Sequence, residues 1–111
     1  MKLEVGMYVR TKYGISKCIK VTPIRENSFM YEFDREVYED VYFLTYSELE
    51  KYKSSSNIID LIEVGDYVNG FPIIHKENDI LKCGLLVQFK ENEIKSIVTS
   101  EQFESMQYEV D

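Results

Sequence analysis

A chain of 111 residues with 13 Lys and Arg against 20 Asp and Glu is long enough for one core or two small fused ones, and its net charge of −7 argues against non-specific attraction to nucleic acid. Hydrophobic residues at 44% and charged residues at 30% exclude a disordered or fibrous chain, while Asp60, Glu63 and Asp66 break the longest apolar stretch before it could span a membrane. Nine Tyr and six Phe without Trp favour half-buried pleated strands, so the expected fold class is mainly β (α+β).

The opening Met1-Lys2-Leu3-Glu4-Val5-Gly6 lacks the apolar stretch of a secretory signal, so a cytoplasmic location is the expectation. Cys18 and Cys83 lie far apart in apolar-rich surroundings and read as buried reduced thiols. Met7 to Tyr13 reads as a strand, Tyr13-Gly14 as its turn and Ile15 to Pro23 as the returning strand. After a turn over Arg25 to Ser28, Phe29, Tyr31 and Phe33 alternate with Met30 and Glu32 at a period of two, and Val37 to Leu44 continues the sheet. Thr45 and Glu48 have the spacing of a capping box, which opens a short helix running to Tyr52. Lys53-Ser54-Ser55-Ser56-Asn57 is small and polar and reads as a linker, with Ile58 to Ile62 as one helical turn beyond it. Asp66 to Ile74, Ile80 to Lys90 and Ile94 to Val98 then read as a strand meander. Thr99 and Gln102 form a second capping box ahead of a short helix carrying Phe103 and Met106, and Gln107 to Val110 is strand-like.

Glu4-Val5-Gly6-Met7-Tyr8-Val9 matches Glu63-Val64-Gly65-Asp66-Tyr67-Val68 at five of six positions. A Gly ahead of alternating Tyr and Val is a common entry to the first strand of a small barrel, so a repeat is one account of the match and a chance strand-entry pattern is the other. The resulting expectation is two small SH3-like or barrel-like β units, 1–53 and 57–111, each with a short helix. Val9, Ile19, Val21, Phe33, Leu61, Val68, Leu86 and Phe103 are the expected core.

Catalytic signatures are missing from the sequence. His75 is the single histidine, so HExxH and His-pair zinc sites are out of reach, and neither a GxSxG elbow nor a phosphate-binding Gly loop occurs. The expectation is a protein without catalytic residues, metal or cofactor. Charge is segregated instead: residues 1–25 carry six cations and one carboxylate, and residues 26–50 carry eight carboxylates and one cation. Tyr8, Arg10, Lys12, Tyr13, Lys17 and Lys20 on the first hairpin could hold a nucleotide, the cations on phosphate and the rings on a base. The simpler account is a solvated strand face protected from edge pairing. Glu36, Tyr38, Glu39, Asp40, Tyr42 and Tyr46 could form an acidic, tyrosine-rich surface that meets a basic protein as a DNA mimic would. Phe29, Tyr31 and Phe33 are better explained as core.

Two segments, Ile58-Ile59-Asp60-Leu61-Ile62-Glu63-Val64-Gly65-Asp66-Tyr67-Val68-Asn69-Gly70 and Glu93-Ile94-Lys95-Ser96-Ile97-Val98-Thr99-Ser100-Glu101-Gln102-Phe103-Glu104, resemble a group of small phage and prophage proteins of Gram-positive bacteria. The opening Val5 to Gly14 resembles the start of the same group, and residues 22–52 do not match so clearly. The resemblance implies a phage accessory protein that acts in the host cytoplasm by binding. Its expected partner is a host defence protein that it blocks or, alternatively, a cyclic nucleotide immune signal that it sequesters; a virion-associated structural role is a third reading. No membrane contact and no direct binding to duplex DNA are expected, and homo-oligomerisation is compatible with the sequence.

Overall fold

The first unit is built outward from one hairpin. β1 (Tyr8–Thr11) pairs antiparallel with β2 (Gly14–Arg25), which pairs with β3 (Ser28–Phe33), which pairs in turn with β4 (Phe43–Thr45). A single helical turn, α1 (Tyr46–Leu49), leads to β5 (Lys53–Ser55), which returns to the free edge of β1. The strand order β4-β3-β2-β1-β5, with a short helix before the last strand, is that of an SH3-like unit. This computed structural model describes residues 3–26, 28–37 and 41–106, the side chains of 104–106 excepted. The terminal strand expected from Gln107 onward lies outside the described residues.

The second unit repeats the plan in miniature. A 3-10 helix (Ile58–Leu61) precedes β6 (Tyr67–Val68), β7 (Phe71–Pro72), β8 (His75–Glu77), β9 (Ile80–Lys82) and β10 (Gln88–Lys90). A second 3-10 helix (Glu91–Glu93) then leads to β11 (Ile97–Val98) and α2 (Ser100–Met106). β11 pairs with β6 as β5 pairs with β1, and β10-β9-β8 form the remaining sheet. The two copies of the sequence match share their hydrogen bonds as well. Gly6 N–H donates to Cys18 O and Cys18 N–H to Met7 O; Gly65 N–H donates to Ile73 O and Ile73 N–H to Asp66 O. Both glycines have left-handed φ, 96° and 101°, a conformation that costs other residues about 1 kcal/mol or more. The match is therefore a structural repeat in which Leu3 corresponds to Ile62 and Val9 to Val68, all four buried.

Each unit has its own apolar core. Leu3, Val9, Cys18, Tyr31, Phe33, Val37, Leu44 and Leu49 fill the first. Ile15, Ile59, Leu61, Ile62, Val68, Ile73 and Leu81 fill the second. Val9, Phe33, Leu61 and Val68 are core as expected, and Val21 packs half-buried against the first cluster. Three expected core residues are exposed. Ile19 is the extra residue of a bulge between the pairs Cys18↔Phe33 and Lys20↔Glu32, so the alternation skips it and turns it outward. Leu86 lies in the loop joining β9 to β10, and Phe103 is half-exposed, stacked on Tyr67 at 5.1 Å between ring centroids. Both cysteines are free thiols, Cys18 buried as expected and Cys83 only half-buried against the second core; burial raises the pKa of each.

Several boundaries differ from the sequence reading. The segment Lys53 to Ser55, expected as linker, is the strand that closes the first unit. Asp66 to Ile74 is two strands, because Asn69 and Gly70 take φ of 53° and 83° and make a two-residue hairpin turn. Ile80 to Lys90 is likewise divided by the loop at 83–87, and only Ile97–Val98 of the last expected strand is paired. Both capping boxes form: the Glu48 carboxylate accepts the Thr45 N–H at 3.2 Å, and Thr99 and Gln102 exchange bonds of 2.9 and 3.2 Å.

The two units are joined through an ion pair. Arg10, on the β1 face opposite Val9, reaches into the second unit, where its guanidinium forks onto both oxygens of Asp66 and donates to Leu61 O at 2.8 Å. Both oxygens of Glu101 on α2 accept from the same guanidinium, at 2.9 and 3.1 Å. Asp66 is fully buried, and its carboxylate also accepts the backbone N–H of Glu63 and of Ser100. Burial alone would raise the Asp66 pKa, but these hydrogen bonds outweigh it and hold the carboxyl below its usual value. α2 closes the joint by seating Gln102 on the first hairpin, where a Cβ at Gly14 would stand 2.7 Å from the Gln102 amide.

Removing Asp66 leaves the buried guanidinium to the partly exposed Glu101 and Glu63 and orphans the Glu63 and Ser100 N–H groups, so Asp66→Ala is expected to cost about 3–5 kcal/mol in chemical denaturation. Glu101→Ala, at a position whose side chain is 41% exposed, should cost no more than about 1 kcal/mol. The lowered Asp66 pKa contributes stability that is complete above the ordinary carboxylate value and is lost as pH falls through the folded one. Wild-type stability should therefore drop on acidification more steeply than that of Asp66→Asn, as read by melts across the acid range. Gly14→Ala, with φ of 121° and Gln102 in the way, should lower the melting temperature more than Gly84→Ala, whose Cβ meets nothing within 4 Å.

Candidate functional site

The six cationic and aromatic residues expected on the first hairpin do not form one surface. Alternation along β1 turns Val9 to the first core and sends Tyr8 and Arg10 the other way, towards the second unit rather than towards solvent. Arg10 is 8% exposed and committed to Asp66 and Glu101, so it is an internal tie, not a surface cation. Lys12 is exposed beyond the strand end with its ammonium 5.3 Å from the Tyr13 ring centroid. Lys20 is exposed further along β2, 3.9 Å from Glu32. Tyr8 and Lys17 stay together as direct cross-strand partners.

Around that pair the two units enclose a cleft of about 290 Å³. Each wall has an identifiable support. Lys17 N–H donates to the Asp34 carboxylate at 2.7 Å, and Asp34 N–H returns a bond to Lys17 O at 3.0 Å. This reciprocal pair fixes the chain just after β3 and sets Arg35 at the rim. On the opposite side Asn69 fastens the segment before β11: its Oδ1 accepts the N–H groups of Lys95 and Ser96 at 2.7 and 3.0 Å, and its Nδ2 donates to Glu93 O at 2.9 Å. Lys95 and Ser96 thereby border the same cleft. Ile58, Ile94 and Ile97, each half-buried, supply apolar wall beside Tyr8. Lys76 holds the 3-10 helix that carries Ile58, donating to Ile59 O and Ile62 O at 3.0 Å each.

Among the described residues the cleft thus gathers Lys17, Arg35 and Lys95 around one carboxylate, Asp34, in a chain of net charge −7. Cations that border one partly enclosed space repel one another, an anion among them relieves that repulsion, and the neighbouring isoleucines lower the local dielectric and strengthen the hold on it. Arg35 and Lys95 were not singled out in the sequence, since Arg35 stands alone among carboxylates and Lys95 lies 78 residues beyond Lys17.

The acidic surface is described only in part. Tyr38, Glu39 and Asp40 lie outside the described residues. Tyr42 is 52% exposed, Glu36 is half-buried, and both border a shallow cleft with Tyr13, Arg35 and Gln102. Tyr46 packs against the first core. A larger cleft of about 560 Å³ runs between the β8–β9 turn and the Lys90 to Asn92 segment, but its lining is mostly amides and carboxylates. A third, at Lys12, Lys51 and Lys53, includes Glu63 and Glu101, which offset its cations. Among the described residues no group of His, Cys, Asp and Glu is placed to hold a metal ion, and no helix is long and apolar enough to cross a membrane.

No family model, curated protein or solved structure matches the chain.

If Asn69 positions the Lys95 rim, Asn69→Ala should destabilise by about 1 kcal/mol, because it removes three exposed hydrogen bonds and puts Ala, which tolerates a left-handed φ less well than Asn, at that turn. Asn69→Gly relieves the second cost but not the first, so its melting temperature should fall between those of wild type and Asn69→Ala.

Proposed function

We propose that this is a non-catalytic phage accessory protein of the host cytoplasm, acting by binding, and that it holds a small phosphate-bearing molecule in the cleft between its two β units. The observation that carries the reading is the convergence of Lys17, Arg35 and Lys95, from three separate chain segments, beside Tyr8. Arg offers a planar fork and Lys a point charge for phosphoryl oxygens, and both give charge-assisted hydrogen bonds roughly twice as strong as neutral ones. Sequestering a phosphorylated host signal is the action that follows. The setting rests on the resemblance of residues 58–70 and 93–104 to phage proteins.

A second reading, blockade of a host protein, draws on a different observation. Leu85 and Leu86 are essentially fully exposed on the β9–β10 loop, and adjacent bare leucines at a loop tip are a common mark of a protein contact. The acidic, tyrosine-bearing surface around Glu36 and Tyr42 would add charge complementarity to a basic partner. Under this reading Leu85→Ser with Leu86→Ser lowers recovery of a specific host protein in pull-downs, while unchanged recovery counts against it.

For the anion reading, calorimetry with inorganic phosphate and pyrophosphate at about 50 mM salt should show binding that weakens as salt rises, as screening of exposed charges requires. Lys95→Glu should weaken pyrophosphate at least tenfold with an unchanged melting temperature, whereas Lys12→Glu should leave it unaffected. Absence of heat with either anion would rule the reading out.

A further inference from the structure

Resting on the anion reading above, we infer that the cleft takes a single nucleotide unit bearing one phosphate monoester, with the phosphate on Lys17, Arg35 and Lys95 and the base against Tyr8, Ile94 and Ile97. Charge comes first. Among the described residues three cations and the Asp34 carboxylate leave an excess of two positive charges, which matches a phosphate monoester at about −1.5 to −2 near neutral pH. A diphosphate or triphosphate would bring surplus charge towards Asp34.

The wall of the cleft is mixed in composition. An inorganic anion gains nothing from half-buried isoleucines, yet Ile58, Ile94 and Ile97 border the same space as the cations, with Tyr8 among them. A ligand that satisfies both needs an anionic end and a flat apolar body, and a base has a π face for which a tyrosine ring is a platform. Tyr8 is well fixed for that role, since β1 is paired on both sides, Tyr8 lying opposite Lys17 on β2 and Ser55 on β5.

Size points the same way. At about 290 Å³ the partly open cleft lies at the lower edge of small-molecule sites, room for one nucleotide unit. A cyclic dinucleotide, with its second base and second phosphodiester, would extend out of it. Because residues from both units and from the connecting helix border it, the ligand spans the joint that Arg10 and Asp66 hold, and binding should resist separation of the units.

Calorimetry and thermal shift on the full chain test the inference, with adenosine, guanosine, cytidine and uridine monophosphates set against ribose 5-phosphate, inorganic phosphate and a cyclic dinucleotide. The expected result is that at least one nucleoside monophosphate binds tenfold or more tightly than ribose 5-phosphate and raises the melting temperature. Tyr8→Leu should bring that nucleotide down to the level of ribose 5-phosphate while inorganic phosphate is retained. Ser96→Trp, which fills the cleft from an exposed position outside both cores, should lose the nucleotide even if Tyr8→Leu proves poorly folded. Equal affinity for nucleotide and ribose 5-phosphate would overturn the inference and leave the anion reading standing. A cyclic dinucleotide that binds more tightly than every monophosphate would also overturn it. Failure of every ligand, inorganic phosphate included, would remove both.

Discussion

The arrangement of this molecule depends on one buried ion pair. Arg10 leaves the first unit and Asp66 receives it in the second, and the Asp66 carboxylate takes four hydrogen bonds from three separate stretches of chain. Desolvating the two charges is expensive, and an apolar pair of similar volume would often be as stable. The pair instead makes the docking specific. A guanidinium fork matches a carboxylate in one plane and one register, whereas apolar side chains would allow the units to slide. Glu101 and Glu63 stand around the same guanidinium, so α2 and the entry to β6 are drawn to the joint as well.

That joint also explains how a repeat has acquired different faces. Met7 of the first copy and Asp66 of the second occupy equivalent positions after a left-handed glycine, and both backbones make the same pair of hydrogen bonds to the returning strand. The backbone plan is held by glycine and by the buried Val of each copy. The residue after the glycine is free to differ, and a carboxylate at that point turns one copy into the receptor for the other's arginine. The cleft at Tyr8 and Lys17 is a by-product of this docking, since neither unit alone supplies more than part of its wall. Cations that are distant in sequence are held near one another because local devices pin each segment: the Asp34 exchange with Lys17 on one side, and Asn69 with the Lys95 segment on the other.

The sequence by itself determined the β class, both capping boxes and half of the expected core, because these depend on neighbours within a few residues. Alternation marked Phe33 and Val9 as inward, and the Thr45/Glu48 and Thr99/Gln102 spacings marked the helix starts. The Asn69-Gly70 turn was also legible, as a two-residue hairpin signal that a longer apolar pattern masked. Only the tertiary structure decided the rest. A one-residue bulge reversed Ile19, strand pairing recruited Lys53 to Ser55, and docking of the units turned the outer face of β1 into an interior, taking Arg10 from solvent to Asp66. It likewise brought Arg35 and Lys95 to Lys17. Periodicity reports which residues share a face, but what that face meets is set by contacts between residues far apart in the chain, and these leave no local pattern to read.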